Sequence, residues 1–213
     1  MLSSFSNKIG GLKTSLSVTY LPHRNSISAM LLSESDEALS WVERDLRFHE
    51  TLADNPFLLP FLFCRRFVDA ISKSLDDQFD LLHQIEADSG QTGILLVDVM
   101  GRVVPKRDGR EDDLSLEILG VSQRAAVIEA SARGHLLTME SVRAELIAFP
   151  WPEMSEVELK RREKQNRIIS KQLDYITQKV QFSVLRVYNL KERANVQSTA
   201  VSIIVPRQFR YKV

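Results

Sequence analysis

The sequence contains little of what marks several functional classes. Its 213 residues include one cysteine, Cys64, so an internal disulfide cannot form and a reducing compartment is the simplest environment. The N-terminus lacks the continuous apolar core of a secretory signal. The longest apolar runs, such as FLLPFLFC, fall far short of the roughly 20 residues that cross a bilayer. We therefore expect a cytoplasmic protein without a membrane span, either free or at the cytoplasmic face of a membrane.

Charge of one sign is also lacking. The 28 basic and 28 acidic side chains cancel, so the balance of charge does not favour nucleic acid as a partner. The basic run KRREK, residues 160–164, is typical of a solvated helix face. The four histidines are scattered without an HExxH pattern, and a complete phosphate loop is missing. These patterns predict a protein that is not an enzyme and requires no cofactor.

What the sequence does contain is a short β-type region followed by long helical patterns. Leu16, Val18 and Tyr20 alternate with polar residues, and SISAMLL follows after a turn, which predicts a strand pair within residues 14–32. The segment between Gly93 and Val104 is rich in β-branched residues and predicts a further strand or hairpin. The expected fold class is α+β and predominantly α, with a small β element, packed helices and a long C-terminal stalk helix.

Capping and breaking residues set the expected helix boundaries. One helix follows Ser35 or Asp36, and a second opens near Pro56 and stops at Ser89–Gly90. A third runs from Asp112 or Asp113 to Phe149, where two prolines end it. The predicted organisation is a disordered N-terminus over residues 1–13, an α+β domain over 14–152, the stalk helix over 153–203 and a basic tail over 204–213.

The predicted stalk helix carries a nearly heptad-spaced apolar stripe. Because other apolar residues lie off this stripe around 180–190, the helix is expected to pack against neighbours on more than one side. The stripe is the predicted interface of a homo-oligomer, and its members are Ile169, Leu173, Ile176, Val180, Val184 and Val187.

Asp76, Asp77 and Asp80 spell DDxxD, a spacing that holds Mg²⁺ in prenyl-transferring enzymes because carboxylates one turn apart project to one side. Such enzymes need a second acidic cluster, and the sequence contains no matching one. We expect these aspartates to face water, although they are the candidate ligands if the protein binds Mg²⁺.

Two segments resemble a known family. NPFLLP, residues 55–60, and QFSVLRVYNLKERAN, residues 181–195, are similar to stretches of the cytosolic part of fungal CorA-like divalent-cation (Mg²⁺/Zn²⁺) transporters. In that family the last cytosolic helix is a stalk that continues into the first membrane span. The sequence contains neither such spans nor the family's GMN tripeptide, so we do not expect this chain alone to conduct ions.

The resemblance implies a regulatory or assembly domain that associates with itself or with a full-length transporter. The alternative is a coiled-coil adaptor or structural interaction protein with no relation to transport. An adaptor would use the same stripe for a different partner, with KRREK as the charged flank that selects that partner.

Overall fold

The computed structural model describes residues 2–9, 12–21, 26–33, 37–88 and 111–209. Three strands come first, β1 (Leu2–Ile9), β2 (Leu12–Leu21) and β3 (Ser26–Ser33). They are followed by α1 (Glu37–Phe48), a 3₁₀ turn (Glu50–Leu52), α2 (Leu58–Asp88), α3 (Glu111–Ala148) and α4 (Glu156–Phe209). The predicted class, α+β and predominantly α with a long C-terminal helix, is confirmed.

The three strands form one antiparallel sheet in the order β1-β2-β3. Leu16 of β2 stands opposite Phe5 of β1 and Leu31 of β3. The predicted strand pair therefore corresponds to β2 and β3. Strand β1 lies in residues 1–13, where the sequence predicts disorder; pairing with β2 supplies the backbone hydrogen bonds that a serine-rich composition does not reveal. The further strand predicted between Gly93 and Val104 lies outside the described residues.

The helix boundaries agree with the capping and breaking residues. Helix α2 begins after Pro56, and Pro60 is its third residue, a position where proline is tolerated because the backbone N–H has no helical partner. Helix α3 ends two residues before Pro150. Helix α4 is 54 residues long and reaches Phe209, so it includes much of the predicted basic tail. Within the described ranges, none of the helices combines the length and the apolar character needed to cross a membrane.

The chain divides into two compact units, each containing parts of α2, α3 and α4. Unit 1 comprises residues 1–72 and 131–182, and unit 2 comprises residues 73–130 and 183–213. This division differs from the predicted boundary at residue 152, because α4 contributes to both units. The predicted division into domains at residue 152 stays a prediction.

Aromatic side chains dominate the core of unit 1. The inward face of β2 buries Leu16, Val18 and Tyr20. The Tyr20 ring lies edge-to-face with Phe149 at 5.3 Å between centroids, and Phe149 in turn meets Phe57 at 5.2 Å. Such edge-to-face pairs add stabilisation beyond the burial of their area. The sheet and the helical part of unit 1 thus share one aromatic core.

Buried residues recur at alternating intervals of three and four residues along all three long helices. In α4 the alternation of four and three residues is unbroken from Ile169 to Gln197, and in α3 it is unbroken from Ile118 to Leu146. In α2 it extends from Phe61 to Ile85. A spacing that averages 3.5 residues is the pattern of left-handed coiled coils. Within each unit, the helices therefore pack with coiled-coil periodicity.

Candidate functional site

The predicted interface stripe lies in the interior of single-chain units. Ile169, Leu173 and Val180 have no exposed surface, and Ile176 and Val187 are also buried. The neighbours that cover this stripe belong to the same chain. An intermolecular contact through these residues would require α4 to leave its own core.

One member of the predicted stripe, Val184, is only half-buried, and Ser183 occupies the buried position instead. The predicted stripe reached Val184 through a second consecutive step of four residues, from Val180 to Val184. We call the buried stripe of α4 its seam. Its positions alternate by four and three residues, which keeps an average of 3.5 residues per turn, and this places residue 183 rather than residue 184 on the seam. Helical register therefore outweighs side-chain hydrophobicity at this position.

A buried polar network joins the start of α4 to the loop before α2, within unit 1. The guanidinium of Arg162 donates to the backbone carbonyl of Asp54 at 2.7 Å and lies 3.2 Å from an Asp54 carboxylate oxygen. The amide of Gln165 donates to the Thr51 carbonyl and to the Asp54 carboxylate, both at 2.8 Å. Side-chain amides extend the network, since Asn55 donates to Asn166 at 2.9 Å.

This network changes the interpretation of the basic run KRREK. Arg162 is buried, its guanidinium also stacks 5.4 Å from the Trp151 ring, and Arg161 pairs with Asp54 at 2.9 Å. Lys160 pairs with Glu156 within α4. The run is therefore only partly a solvated face, because Arg162 points into the core and three of its cations meet carboxylates.

The first turn of α4 is closed by a capping box that the sequence signal S-x-x-E announces. The Glu158 backbone N–H donates to the Ser155 hydroxyl at 3.3 Å, and the Ser155 backbone N–H donates to the Glu158 carboxylate at 3.1 Å. Hydrogen bonds from the Ser155 hydroxyl and backbone lower the pKa of Glu158. Sequence analysis missed this motif, although residues 155 and 158 spell it directly.

The DDxxD aspartates lie on the surface of unit 2. Asp76 accepts a hydrogen bond from Arg186 at 2.6 Å, and Asp77 and Asp80 are exposed. The Arg186 guanidinium also stacks 5.1 Å from the Phe79 ring. A search of the described residues finds no group of three or more His, Cys, Asp or Glu side chains placed to hold a metal ion. One of the three candidate ligands is thus already part of an ion pair.

Two potentially reactive side chains are buried in unit 1 and neutral near pH 7. Burial raises the pKa of the Cys64 thiol to about 12, so the nucleophilic thiolate is not formed near neutral pH. Burial lowers the pKa of His135 to about 4, and its ring packs against Phe67 at 4.2 Å. Both residues act as apolar core groups at pH 7.

A row of exposed apolar side chains follows the outward surface of α4. Ile168, Tyr175, Phe182 and Val196 are separated by multiples of seven residues, and each has 40% or more of its surface exposed. Leu185 and Tyr188 extend the row next to Phe182, with exposures of 64% and 63%. We call these six residues the outward row. Because large apolar side chains at heptad spacing form helix–helix interfaces, the row has the geometry of a second seam.

The two segments from which a relation to CorA-like transporters was predicted have structural roles here. In NPFLLP, the Asn55 side chain accepts a hydrogen bond from the Phe57 backbone N–H at 2.9 Å, and Phe57 and Leu58 are buried. The segment therefore starts α2. The second segment, residues 181–195, includes buried positions of the α4 seam and three members of the outward row. No protein-family model, curated protein or solved structure matches this sequence.

Proposed function

We propose that this protein is a non-enzymatic helical assembly module, which pairs with a second copy of itself through the outward row of α4. The observation that carries the proposal is the heptad spacing of exposed, large apolar side chains on a helix whose other face is already buried. A helix of 54 residues is about 80 Å long, which offers an extended surface for a partner helix.

A second copy fits this surface for two reasons. The chain itself supplies a partner of matching length and repeat, and a two-fold contact lets each copy of the row meet the other. The formal net charge is zero, so two copies experience little overall electrostatic repulsion. The proposal keeps the predicted use of the C-terminal helix and transfers the contact from the buried stripe to the outward row.

The non-enzymatic part of the proposal rests on the titratable groups. The buried thiol of Cys64 and the buried ring of His135 are both neutral near pH 7. The carboxylate of Glu158 serves a helix cap. Each of these three groups therefore has a role in folding.

The test is the mass in solution, measured by light scattering during size-exclusion chromatography over a range of concentrations. Phe182→Glu places a charge in the middle of the outward row, where 62% of the side chain is exposed. We expect a wild-type dimer whose dissociation constant rises at least about tenfold in the variant, because the charge would be desolvated in the contact. Circular dichroism confirms that the variant remains folded.

The matched control is Leu137→Glu on α3, where 66% of the side chain is exposed. It introduces the same charge at a similarly exposed helical position and should leave the dimer unchanged. A wild-type monomer at all concentrations would contradict self-assembly and favour the adaptor hypothesis, as would equal effects of the two substitutions.

The narrower hypothesis relates the module to a CorA-like transporter and is supported by the two sequence segments alone. It predicts that millimolar Mg²⁺ changes the mass distribution or the melting temperature, whereas an adaptor should not respond. Replacing Asp76, Asp77 and Asp80 with asparagine should abolish that response if these carboxylates bind the ion. A response that survives this triple substitution would place the ion elsewhere.

A further inference from the structure

Unit 1 contains a cavity of about 290 Å³ between the sheet, α1 and the beginning of α2. Leu16 and Leu31 line it from the sheet, Trp41 and Leu46 from α1, and Leu59 and Phe63 from α2. Among the described residues that line the cavity, none carries a charge. The site is therefore an apolar chamber assembled from three elements of one unit, and it is partly open to solvent, since Ala29 in its lining is exposed.

The sequence builds this chamber by simple periodicity. Leu16 and Leu31 face each other across β2 and β3 and point to the same side of the sheet. Leu59 and Phe63 are one helical turn apart on α2, so both side chains reach the same space. The apolar face of α1 lines the third side of the chamber, with Trp41 buried and Leu46 half-buried.

Neighbouring regions of unit 1 are packed much more tightly. Farther along the same face of β2, where Val18 and Tyr20 meet Phe57 and Phe149, the space left between side chains is only about 20 Å³. Natural cores rarely contain voids larger than a water molecule, and stability falls as the volume of a cavity grows. A chamber more than ten times larger than its neighbour is thus a local feature of the α1 side.

We propose that this chamber binds a small neutral hydrocarbon group. An apolar cavity of about half this volume in an engineered protein excludes water and takes up benzene. The volume here is close to the lower limit of roughly 300 Å³ for ligand pockets. Because the lining is apolar, a charged or strongly polar ligand would lose its hydration without compensation. Trp41 and Phe63 supply aromatic faces against which a flat or aliphatic group packs.

Binding is tested with toluene as the probe, by thermal unfolding and by tryptophan fluorescence in a Trp151→Phe background, where Trp41 alone reports. We expect toluene to raise the melting temperature of the wild type by a few degrees, because it binds the folded state. We also expect a saturable change in Trp41 fluorescence. No change in either quantity would overturn the proposal.

Two cavity-filling variants locate the site. Val42→Phe and Ala29→Phe each project a ring into the chamber, since both residues line it. Each should weaken toluene binding at least about tenfold. The matched control is Val127→Phe on α3, a 66%-exposed position in unit 2, which should bind toluene like the wild type. If one filling variant fails to fold, the other decides the result; undiminished binding in a folded filling variant would overturn the proposal.

The hydrocarbon group could come from a free molecule or from the acyl chain of a lipid, and sedimentation with phosphatidylcholine vesicles distinguishes these sources. Sedimentation of the wild type and of Val127→Phe, but not of Ala29→Phe, would support binding of an acyl chain. Toluene binding without sedimentation would support a free apolar molecule. Sedimentation that is equal in all three proteins would exclude the chamber as the lipid site, and toluene binding would then decide the proposal.

Discussion

Units 1 and 2 use polar side chains in different ways. In unit 1, Arg162 and Gln165 lie in the core and bond to backbone carbonyls of the loop before α2. In unit 2, ion pairs such as Arg186 with Asp76 join side chains at the helix edges. Backbone carbonyls have fixed positions, whereas long exposed side chains exchange partners easily. Unit 1 therefore fixes the register of α4 through these backbone contacts, and an exposed ion pair such as Arg186 with Asp76 adds little to it.

The residues on the α4 seam also differ between the two units. The α4 seam of unit 1 contains Ile169, Leu173, Ile176 and Val180, whereas the seam of unit 2 includes Ser183, Ala194 and Gln197. Each unit also contains a buried polar atom without a hydrogen-bond partner among the described residues, Oε1 of Gln78 in unit 2 and Nε of Arg143 in unit 1. A buried polar atom without a partner costs about 1–3 kcal/mol. Because both units bear this cost, we infer from the small side chains of Ser183 and Ala194 alone that unit 2 opens more readily than unit 1.

The largest expected effect comes from removing the buried guanidinium of unit 1. Arg162→Met should lower the free energy of unfolding by about 2–3 kcal/mol, because the Asp54 carbonyl and the Gln165 side chain lose a buried, charged hydrogen-bond donor. The matched variant in unit 2 is Arg186→Met, which breaks the ion pair with Asp76, where 60% of the aspartate side chain is exposed. It should cost about 1 kcal/mol. Urea unfolding measures both, and equal losses would remove the distinction between the units.

A second prediction concerns pH. His135 of unit 1 has a pKa of about 4 in the folded state, below the ordinary value of 6.5, because it is buried. The unfolded state therefore binds the additional proton as pH falls from 6.5 towards 4, and stability is lost over that interval. The expected loss between pH 7 and pH 5 is about 2 kcal/mol.

His135→Leu removes this titration and should show a smaller loss of stability over the same interval. Urea unfolding of both proteins at pH 7 and pH 5 isolates the contribution of the imidazole, since the carboxylates titrate alike in the two. A parallel loss of stability in wild type and variant would show that His135 is not responsible. Amide hydrogen exchange at pH 5 should show the excess opening first in peptides of unit 1.

The smallest effect comes from two glycines of α3, one in each unit. Gly120 lies in unit 2 and Gly134 in unit 1, and a Cβ atom added at either would meet nothing within 4 Å. Each Gly→Ala substitution should raise the free energy of unfolding by roughly 0.5–1 kcal/mol, because alanine restricts the unfolded helix segment more than glycine does.

Hydrogen exchange of these two alanine variants tests whether the units open separately. If unit 2 opens by itself, Gly120→Ala should slow exchange in unit 2 and Gly134→Ala should leave exchange there unchanged. Equal slowing of both units by both variants would mean that they unfold as one cooperative body.

Much of the fold follows from local sequence signals. Pro56, Pro150 and the alternation around Val18 predict the ends of α2 and α3 and the position of β2, because each depends on backbone geometry at those residues. Strand β1 could not be predicted in this way, because its pairing depends on β2. The burial of Arg162 was also missed, since a basic run has no local signal that one cation will bond to carbonyls more than 100 residues away.

The candidate surfaces show the same limit. Residue spacing predicts that α4 carries apolar residues on more than one side, but it does not say which side the chain itself covers. Which side of α4 is covered depends on α2 and α3. Their buried stripes include polar residues such as Gln78 and His135, which do not stand out in the sequence as core positions. The chamber of unit 1 depends on the angle between α1 and the sheet, a tertiary quantity that no short sequence motif encodes.

The unbroken seven-residue repeat of α4 has a consequence for how such a chain can change its length in evolution. An insertion of a single residue turns everything that follows by about 100° around the helix axis, which would move Phe182 or its neighbours towards the interior and bring seam residues into water. An insertion or deletion of seven residues returns every side chain to nearly its original direction. Related chains of different length should therefore differ in the long helices by whole heptads.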